Sequence, residues 1–265
     1  MRRANNLLVG IFFYSIANVC SATIVRFDTS LGHIDVNLYD STVPGTVENF
    51  LSYVKEGAYD NTLIHRAHAK FIIQGGFFVL DADNSLSSVE LGPEIDNEAR
   101  YANVRGTIAM AKRDDEPDSA TSQWFFNVSD NLSLDNSNGG YTVFGEIIGD
   151  DVAVMDGIAD LPTFNLERAR VYEDGKAAVV AGLAQVPLRN YGAEQLDNNV
   201  RPDETHYVRV ISVTVLDESA DTAADLEPRS RTKNTEVGGG GSASWALFAL
   251  LGLLLLTRFR RAPGA

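Results

Sequence analysis

Apolar and polar positions alternate along much of the chain between residues 23 and 217, a pattern that predicts short strands more often than helices. Ile24 to Asp28 and the alternating Ile34, Val36 and Leu38 read as a hairpin turning at Leu31-Gly32. Around Ile64, Phe71 and Ile73 the same period predicts two short strands separated by a bend, the second ended by Gly75-Gly76. Arg66 and Gln74 then project from neighbouring strands onto one face. Gly106 to Ala111, Gln123 to Val128, Tyr141 to Ile148 and Val208 to Leu216 follow as further strands. Helical spacing occurs twice. Val47, Phe50, Leu51 and Val54 share one helix face, with Pro44 tolerated in the first turn and Gly57 at the end, and Val152, Met155 and Ile158 mark a second, shorter helix. Many short strands without regular strand-helix alternation favour a mainly β, closed antiparallel barrel over a parallel sheet.

The two ends depart from this pattern. Residues 1–22 read as a secretory signal: Arg2 and Arg3, an apolar stretch from Leu7 to Ala17, and a small-residue cleavage site at Cys20-Ser21-Ala22. Lipid attachment at Cys20 is an alternative, disfavoured by the larger Val19 before it. An uncleaved anchor is a second alternative, for which the stretch is short of the roughly 20 apolar residues a spanning helix needs. Cleavage after Ala22 removes the only cysteine, leaving no disulfide, thiolate nucleophile or cysteine metal site. At the other end, Gly238 to Gly241 precede the apolar run Trp245 to Thr257, followed by Arg258, Arg260 and Arg261 in a basic tail over residues 258–265. Arginines after an apolar run favour a cytoplasmic C-terminus. The run reaches only about 20 Å as a helix, against roughly 30 Å of hydrocarbon, which makes it marginal as a permanent anchor and suited to a transient one. The tail resembles the glycine-rich, short-hydrophobic, arginine-terminated sorting signals of Gram-negative exported proteins, which a rhomboid-type membrane protease is thought to cut; a simple tail anchor is the alternative. Residues 218–244, acidic and then glycine-rich, read as a disordered tether between domain and tail.

A chain of 265 residues, 45% hydrophobic and 22% charged, fits one domain with appendages. With the terminal arginines set aside, 17 basic residues stand against all 36 acidic ones, a balance of −19. A surface this acidic argues against nucleic acid and anionic membranes as partners of the domain, because phosphate binding depends on clustered Lys and Arg.

Candidate chemistry concentrates in residues 64–76, which bring together Arg66, Gln74 and a cluster of apolar side chains without a plausible nucleophile. That combination suits a reaction that rotates a bond and breaks none. His65 and His68 form an H-x-x-H pair, but acidic ligands are not near in sequence and no helix sets the two on one side, so zinc is not expected. Asp135 to Gly140 lacks the closing glutamate of a calcium loop and reads as a turn-rich hairpin loop. Asn127-Val-Ser129 and Asn131-Leu-Ser133 match glycosylation acceptors, into which nothing is read beside bacterial sorting features.

Four blocks carry a family resemblance. They are His65-Arg66 with Phe71 and Gln74-Gly75-Gly76, then Gly106 to Ala111, then Ser119 to Phe126, and Val143-Phe144-Gly145. In these blocks, their order and their spacing, residues 23–217 resemble a cyclophilin-type peptidyl-prolyl cis-trans isomerase of the bacterial exported kind. The resemblance implies an eight-stranded antiparallel barrel closed by two helices, with a substrate proline in a surface groove. It implies Arg66 as the catalytic arginine, with His65 and Gln74 lining the groove. Phe71, Ile72, Phe125 and Leu134 match the apolar proline pocket, Ala111, Lys112 and Gln123 match positions contacting the substrate backbone, and Tyr141 falls where bacterial members often carry tyrosine. Proline-containing polypeptides are the implied substrates, the periplasm or cell surface the implied location, and neither metal nor cofactor is needed. A cyclophilin-fold binding module with little catalysis is the second implied class.

The chain departs from the family at Ser133, where many members have an aromatic residue, at Ala69 in place of proline, and at Lys112 in place of asparagine. Loss of the aromatic implies weak binding of cyclosporin-like ligands, whereas contact through the Lys112 backbone is retained. Residues 163–205 are longer and more polar than the usual connection before the last strand, and Arg168, Arg170, Lys176, Arg189 and Arg201 are spread through them.

Overall fold

The computed structural model describes residues 23–167, 170–171, 177–178, 182–218 and 228–232. The expected signal at 1–22, the apolar run 245–257 and the basic tail 258–265 lie outside them, as do Arg168 and Lys176. Among the described residues no helix is long and apolar enough to cross a membrane.

The described fold is mainly β. In chain order it runs β1 (Ile24–Thr29), β2 (Gly32–Leu38), α1 (Pro44–Lys55), β3 (Thr62–Leu63), β4 (Arg66–Ala67), β5 (Ile72–Gly75), β6 (Phe78–Leu80), β7 (Leu86–Ser88), β8 (Thr107–Met110) and β9 (Trp124–Asn127). A 3-10 turn at Leu132–Asp135 leads to β10 (Val143–Ile147), α2 (Val152–Ala159), β11 (Thr163–Phe164), β12 (Arg170–Val171), β13 (Ala177–Ala178), β14 (Val186–Pro187), α3 (Ala193–Asp197) and β15 (Arg209–Asp217). Eleven strands form one curled antiparallel sheet in the order β4-β5-β9-β8-β10-β2-β1-β15-β3-β6-β7. The count exceeds the expected eight for two physical reasons. A bend at Ile64-His65 splits one extended run into β3 and β4, and the β6–β7 hairpin adds to the edge.

Alternation decides what the sheet encloses, because successive side chains of a strand point to opposite faces. On one face Phe27 meets Trp124 and Phe126 at ring separations of 4.9 and 5.4 Å. Phe50, from the buried stripe of α1, reaches Phe27 at 5.9 Å and Phe144 at 5.1 Å. The expected helix is present, with Pro44 in its first turn and Gly57 just past its end at φ +65. Glu98, from a distant loop, accepts hydrogen bonds from the Thr46 backbone N–H and hydroxyl, each at 2.8 Å, and so satisfies a donor that the first helical turn leaves open.

The insertion 163–205, whose role is not readable in the sequence, builds a second core. Leu166, Leu183, Val186, Leu188 and Tyr191 bury themselves with Leu63, Phe78, Leu80 and Tyr207. The partners come from β3, β6 and the approach to β15, so the apolar residues of the insertion have no periodic pattern to reveal them. Of the expected tether, Glu218 and residues 228–232 are described, and Ser230 bridges to Tyr101 in antiparallel fashion. Backbone bonds from Ala102 N to Arg229 O (2.8 Å) and from Arg231 N to Arg100 O (2.9 Å) secure it.

Candidate active site

The register of four strand pairs draws one transverse row across the sheet. Arg66 pairs with Gln74, Gln74 with Phe125, Phe125 with Ala109, and Ala109 with Val143. Residues directly opposite one another in an antiparallel pair share a face, so Arg66, Gln74 and Phe125 stand side by side. Positions two removed along each strand share that face as well, which adds Ile72 and Gln123. The opposite face carries Ile73, Phe126 and Trp124 toward the aromatic core.

Contacts within the row define its character. The Arg66 guanidinium lies 5.9 Å from the centre of the Phe71 ring. Gln74 donates from Nε2 to Gln123 Oε1 at 2.9 Å, which ties β5 to the approach to β9. Phe125 and Tyr141 meet edge to face at 5.8 Å. Ile72, Phe125, Leu134 and Tyr141 are buried, while Arg66, Phe71 and Gln123 are half-buried and remain reachable. Burial lowers the Arg66 guanidinium from its ordinary range, with the Tyr141 hydroxyl acting the other way; at neutral pH an arginine so placed keeps its charge. Ala111 closes the row beside Gln123, whose carbonyl accepts its N–H at 2.9 Å.

Two of the expected residues face elsewhere. His65 is buried, meets Phe78 edge to face at 5.1 Å, and so joins the second core on the side away from Arg66. Burial drops its pKa to about 4, against an opposing hydrogen bond to the Leu63 backbone and with help from the neighbouring Arg66 charge. The Lys112 side chain turns away into the loop before β10, donating from Nζ to Asn138 O (2.8 Å) and Gly140 O (2.7 Å) and lying 4.9 Å from the Tyr141 ring centre. Burial lowers it to about 8. Only its backbone is left for the role expected of residue 112. Ser133 is exposed, beside the equally exposed Leu132.

Four buried polar residues, Asn103, Asn127, Asn131 and Asp135, to which the sequence assigned no part in the site, support it. Asn103 donates to Asp135 Oδ1 from its backbone N–H (2.8 Å) and its amide (3.0 Å), and to Tyr141 O at 3.2 Å. Asn127 donates to Asn103 Oδ1 at 3.2 Å and to Thr107 Oγ1 at 2.9 Å. Asn131 donates to Asn127 Oδ1 at 2.8 Å and to Phe71 O at 2.9 Å. The network fixes the backbones of Phe71, Leu134 and Tyr141 together. Both asparagines of the glycosylation-like motifs are consumed in it, and Asp135 is turned inward rather than toward a cation. His68 is exposed and accepts from Lys70 N through Nδ1 at 3.3 Å. Among the described residues the one cluster of metal-ligating types is His33, Asp35 and Asp151, in which Asp35 is already paired with Arg26 at 2.7 Å.

Comparison with known proteins shows the family of the chain. Residues 24–176 match the family model of the cyclophilin type peptidyl-prolyl cis-trans isomerase/CLD. A peptidyl-prolyl cis-trans isomerase of Acinetobacter baylyi is 42% identical over 149 residues, covering 56% of this chain and 77% of the relative. Peptidyl-prolyl cis-trans isomerase A of Dickeya dadantii is 41% identical over 148 residues (55% and 76%). Peptidyl-prolyl cis-trans isomerase B of Escherichia coli is 40% identical over 144 residues (52% and 85%).

The buried imidazole makes a prediction about acid stability. Its folded-state pKa of about 4 lies below the ordinary 6.5, so between these values the unfolded chain binds more protons. The contribution of His65 is therefore complete above about pH 6.5 and is lost as pH falls toward 4. In thermal melts across that window, His65→Gln flattens the decline in Tm relative to wild type; an unchanged slope contradicts the buried, neutral imidazole.

Proposed function

The chain belongs to the cyclophilin-type peptidyl-prolyl cis-trans isomerase family and is a peptidyl-prolyl cis-trans isomerase, and from that premise we propose that Arg66 is its catalytic group, acting without covalent chemistry. An X-Pro bond resists rotation because amide resonance raises a barrier of about 18–20 kcal/mol. At the top of that barrier the proline nitrogen is pyramidal and regains a lone pair. A fixed guanidinium donates to that lone pair and finds no such acceptor in the planar ground state, so it binds the transition state selectively. Phe71, Ile72, Phe125 and Leu134 hold the ring, while the preceding carbonyl swings past Gln74 and the backbone N–H of Lys112. Ala111, Gln123 and Tyr141 guide the peptide on either side. His65, buried and neutral, takes no part in proton transfer.

The observation that supports this assignment is the transverse row itself, in which a charged donor, an amide and an aromatic ring stand on consecutive strands. The segment from Thr62 to Ala67 supports a further reading, that the curled sheet is the family's eight-stranded closed barrel. Its first half pairs with β15 and its second half with β5, and between them Ile64 N donates to Val208 O and His65 N to Gln74 O, each at 3.0 Å.

The substrates are proline-containing polypeptides. We infer from residues 1–22 and 238–261 that the clients are exported proteins and that the enzyme works in the periplasm or at the surface of a Gram-negative cell, reaching the membrane through its C-terminal run at least before processing. Exposed Ser133 in place of an aromatic wall supports weak binding of cyclosporin-like ligands.

In a protease-coupled proline-peptide assay, Arg66→Ala lowers kcat by about 10²- to 10³-fold with an unchanged melting temperature. Equal rates in the two proteins overturn the assignment. Intact-mass measurement of the protein recovered from cells finds a new N-terminus after Ala22 and a C-terminus near Gly238–Gly241; retention of Arg261 replaces processing with a simple anchor.

A further inference from the structure

The insertion reaches the catalytic row. Gln185, one residue before β14, makes two hydrogen bonds to consecutive residues of β4. Its backbone carbonyl accepts from Ala67 N at 2.9 Å, and its side-chain Oε1 accepts from Arg66 Nε at 3.3 Å. β4 is the end strand of the sheet order, with β5 on one side, so these bonds fall on its outer edge. What holds Gln185 there is the second core. Val186 and Leu188 next to it are fully buried, Leu188 N donates to Pro162 O at 3.1 Å, and β14 pairs with β11.

Resting on Arg66 as the catalytic group, we propose that Gln185 is a positioning residue that orients the Arg66 guanidinium toward the substrate. A guanidinium is a planar fork with five N–H donors. Fixing Nε on one side sets the plane of the fork and leaves the two terminal nitrogens for the proline nitrogen. A neutral acceptor has a second consequence. A carboxylate at this place would orient the fork equally well but would neutralise the charge that the transition state requires, whereas an amide oxygen directs the cation and leaves it intact. The insertion is thus part of the catalytic apparatus, supplying from outside the sheet an anchor that, among the described residues, the neighbouring strands do not provide.

Gln185→Met keeps the length of the side chain and the Ala67–Gln185 backbone bond and removes only the acceptor. In the proline-peptide assay on the purified full chain, Gln185→Met lowers kcat/KM about tenfold at unchanged melting temperature, because misorientation of a reacting group is costly. In an Arg66→Ala background, assayed at raised enzyme concentration, the same change has no further effect, as expected when one residue acts through the other. The Nε–Hε resonance of Arg66 shifts in the ¹⁵N spectrum of Gln185→Met, a readout independent of turnover. A wild-type rate for Gln185→Met, or an equal fractional loss in both backgrounds, overturns the proposal. Wild-type activity in Arg66→Ala alone instead overturns the catalytic role of Arg66.

Discussion

The antiparallel register between β5 and β9 is the constraint on which the rest of the molecule depends. With Gln74 opposite Phe125 and Ile73 opposite Phe126, each strand sends one set of side chains to the aromatic core and the other to the transverse row that carries Arg66. A slip of one residue would exchange the two sets, so the register that builds the core also builds the site. The pair Gly75-Gly76 enforces it locally. A side chain at Gly75 would stand 2.9 Å from the Trp124 ring, and one at Gly76, where φ is +85, would stand 2.7 Å from Ser122 O. Trp124 can lie flat against the end of β5 only because nothing projects there.

The second requirement is a groove wall that does not move. It comes from the asparagine network rather than from apolar packing. Asn103, Asn127, Asn131 and Asp135 are all buried, and each carries polar atoms that would cost about 1–3 kcal/mol apiece if left without partners. Satisfying one another, they bind the carbonyls of Phe71 and Tyr141 to the turn that bears Leu134. Apolar contacts alone would tolerate sliding of that turn; directed hydrogen bonds do not. Lys112 acts on the far side of the same loop, where its Nζ gathers the carbonyls of Asn138 and Gly140, and Arg231 from the C-terminal segment adds a bond to Gly139 O at 2.8 Å.

Periodicity made α1, α2 and the β1–β2 hairpin legible in the sequence, since each buries one face with a regular repeat, whereas β8 and β9, buried on both faces, stood out as short apolar runs. Arg66 and Gln74 were legible as neighbours for the same reason. The residues that escaped are those whose partners are remote in sequence. Gln185 lies more than a hundred positions from Arg66, and the second core joins Leu183 and Leu188 to Phe78 and Leu80, none of which announces the other. Asn103 carries no signal in the sequence, and Asn127 and Asn131 stand out only as glycosylation-like motifs, until burial shows where their amides go. His65 misled because adjacency to Arg66 in sequence means opposite directions in an extended chain. The Lys112 side chain has a structural task of its own, in the loop before β10, that nothing near it in sequence announces.

The most direct measurement is a crystal structure of the protein with a short X-Pro peptide bound. The proline ring should lie among Phe71, Ile72, Phe125 and Leu134, with the Arg66 guanidinium within hydrogen-bond reach of the proline nitrogen and its Nε still on Gln185. A ring seated elsewhere on the sheet, or an Arg66 turned away from the peptide, would contradict a transverse row built to twist the amide.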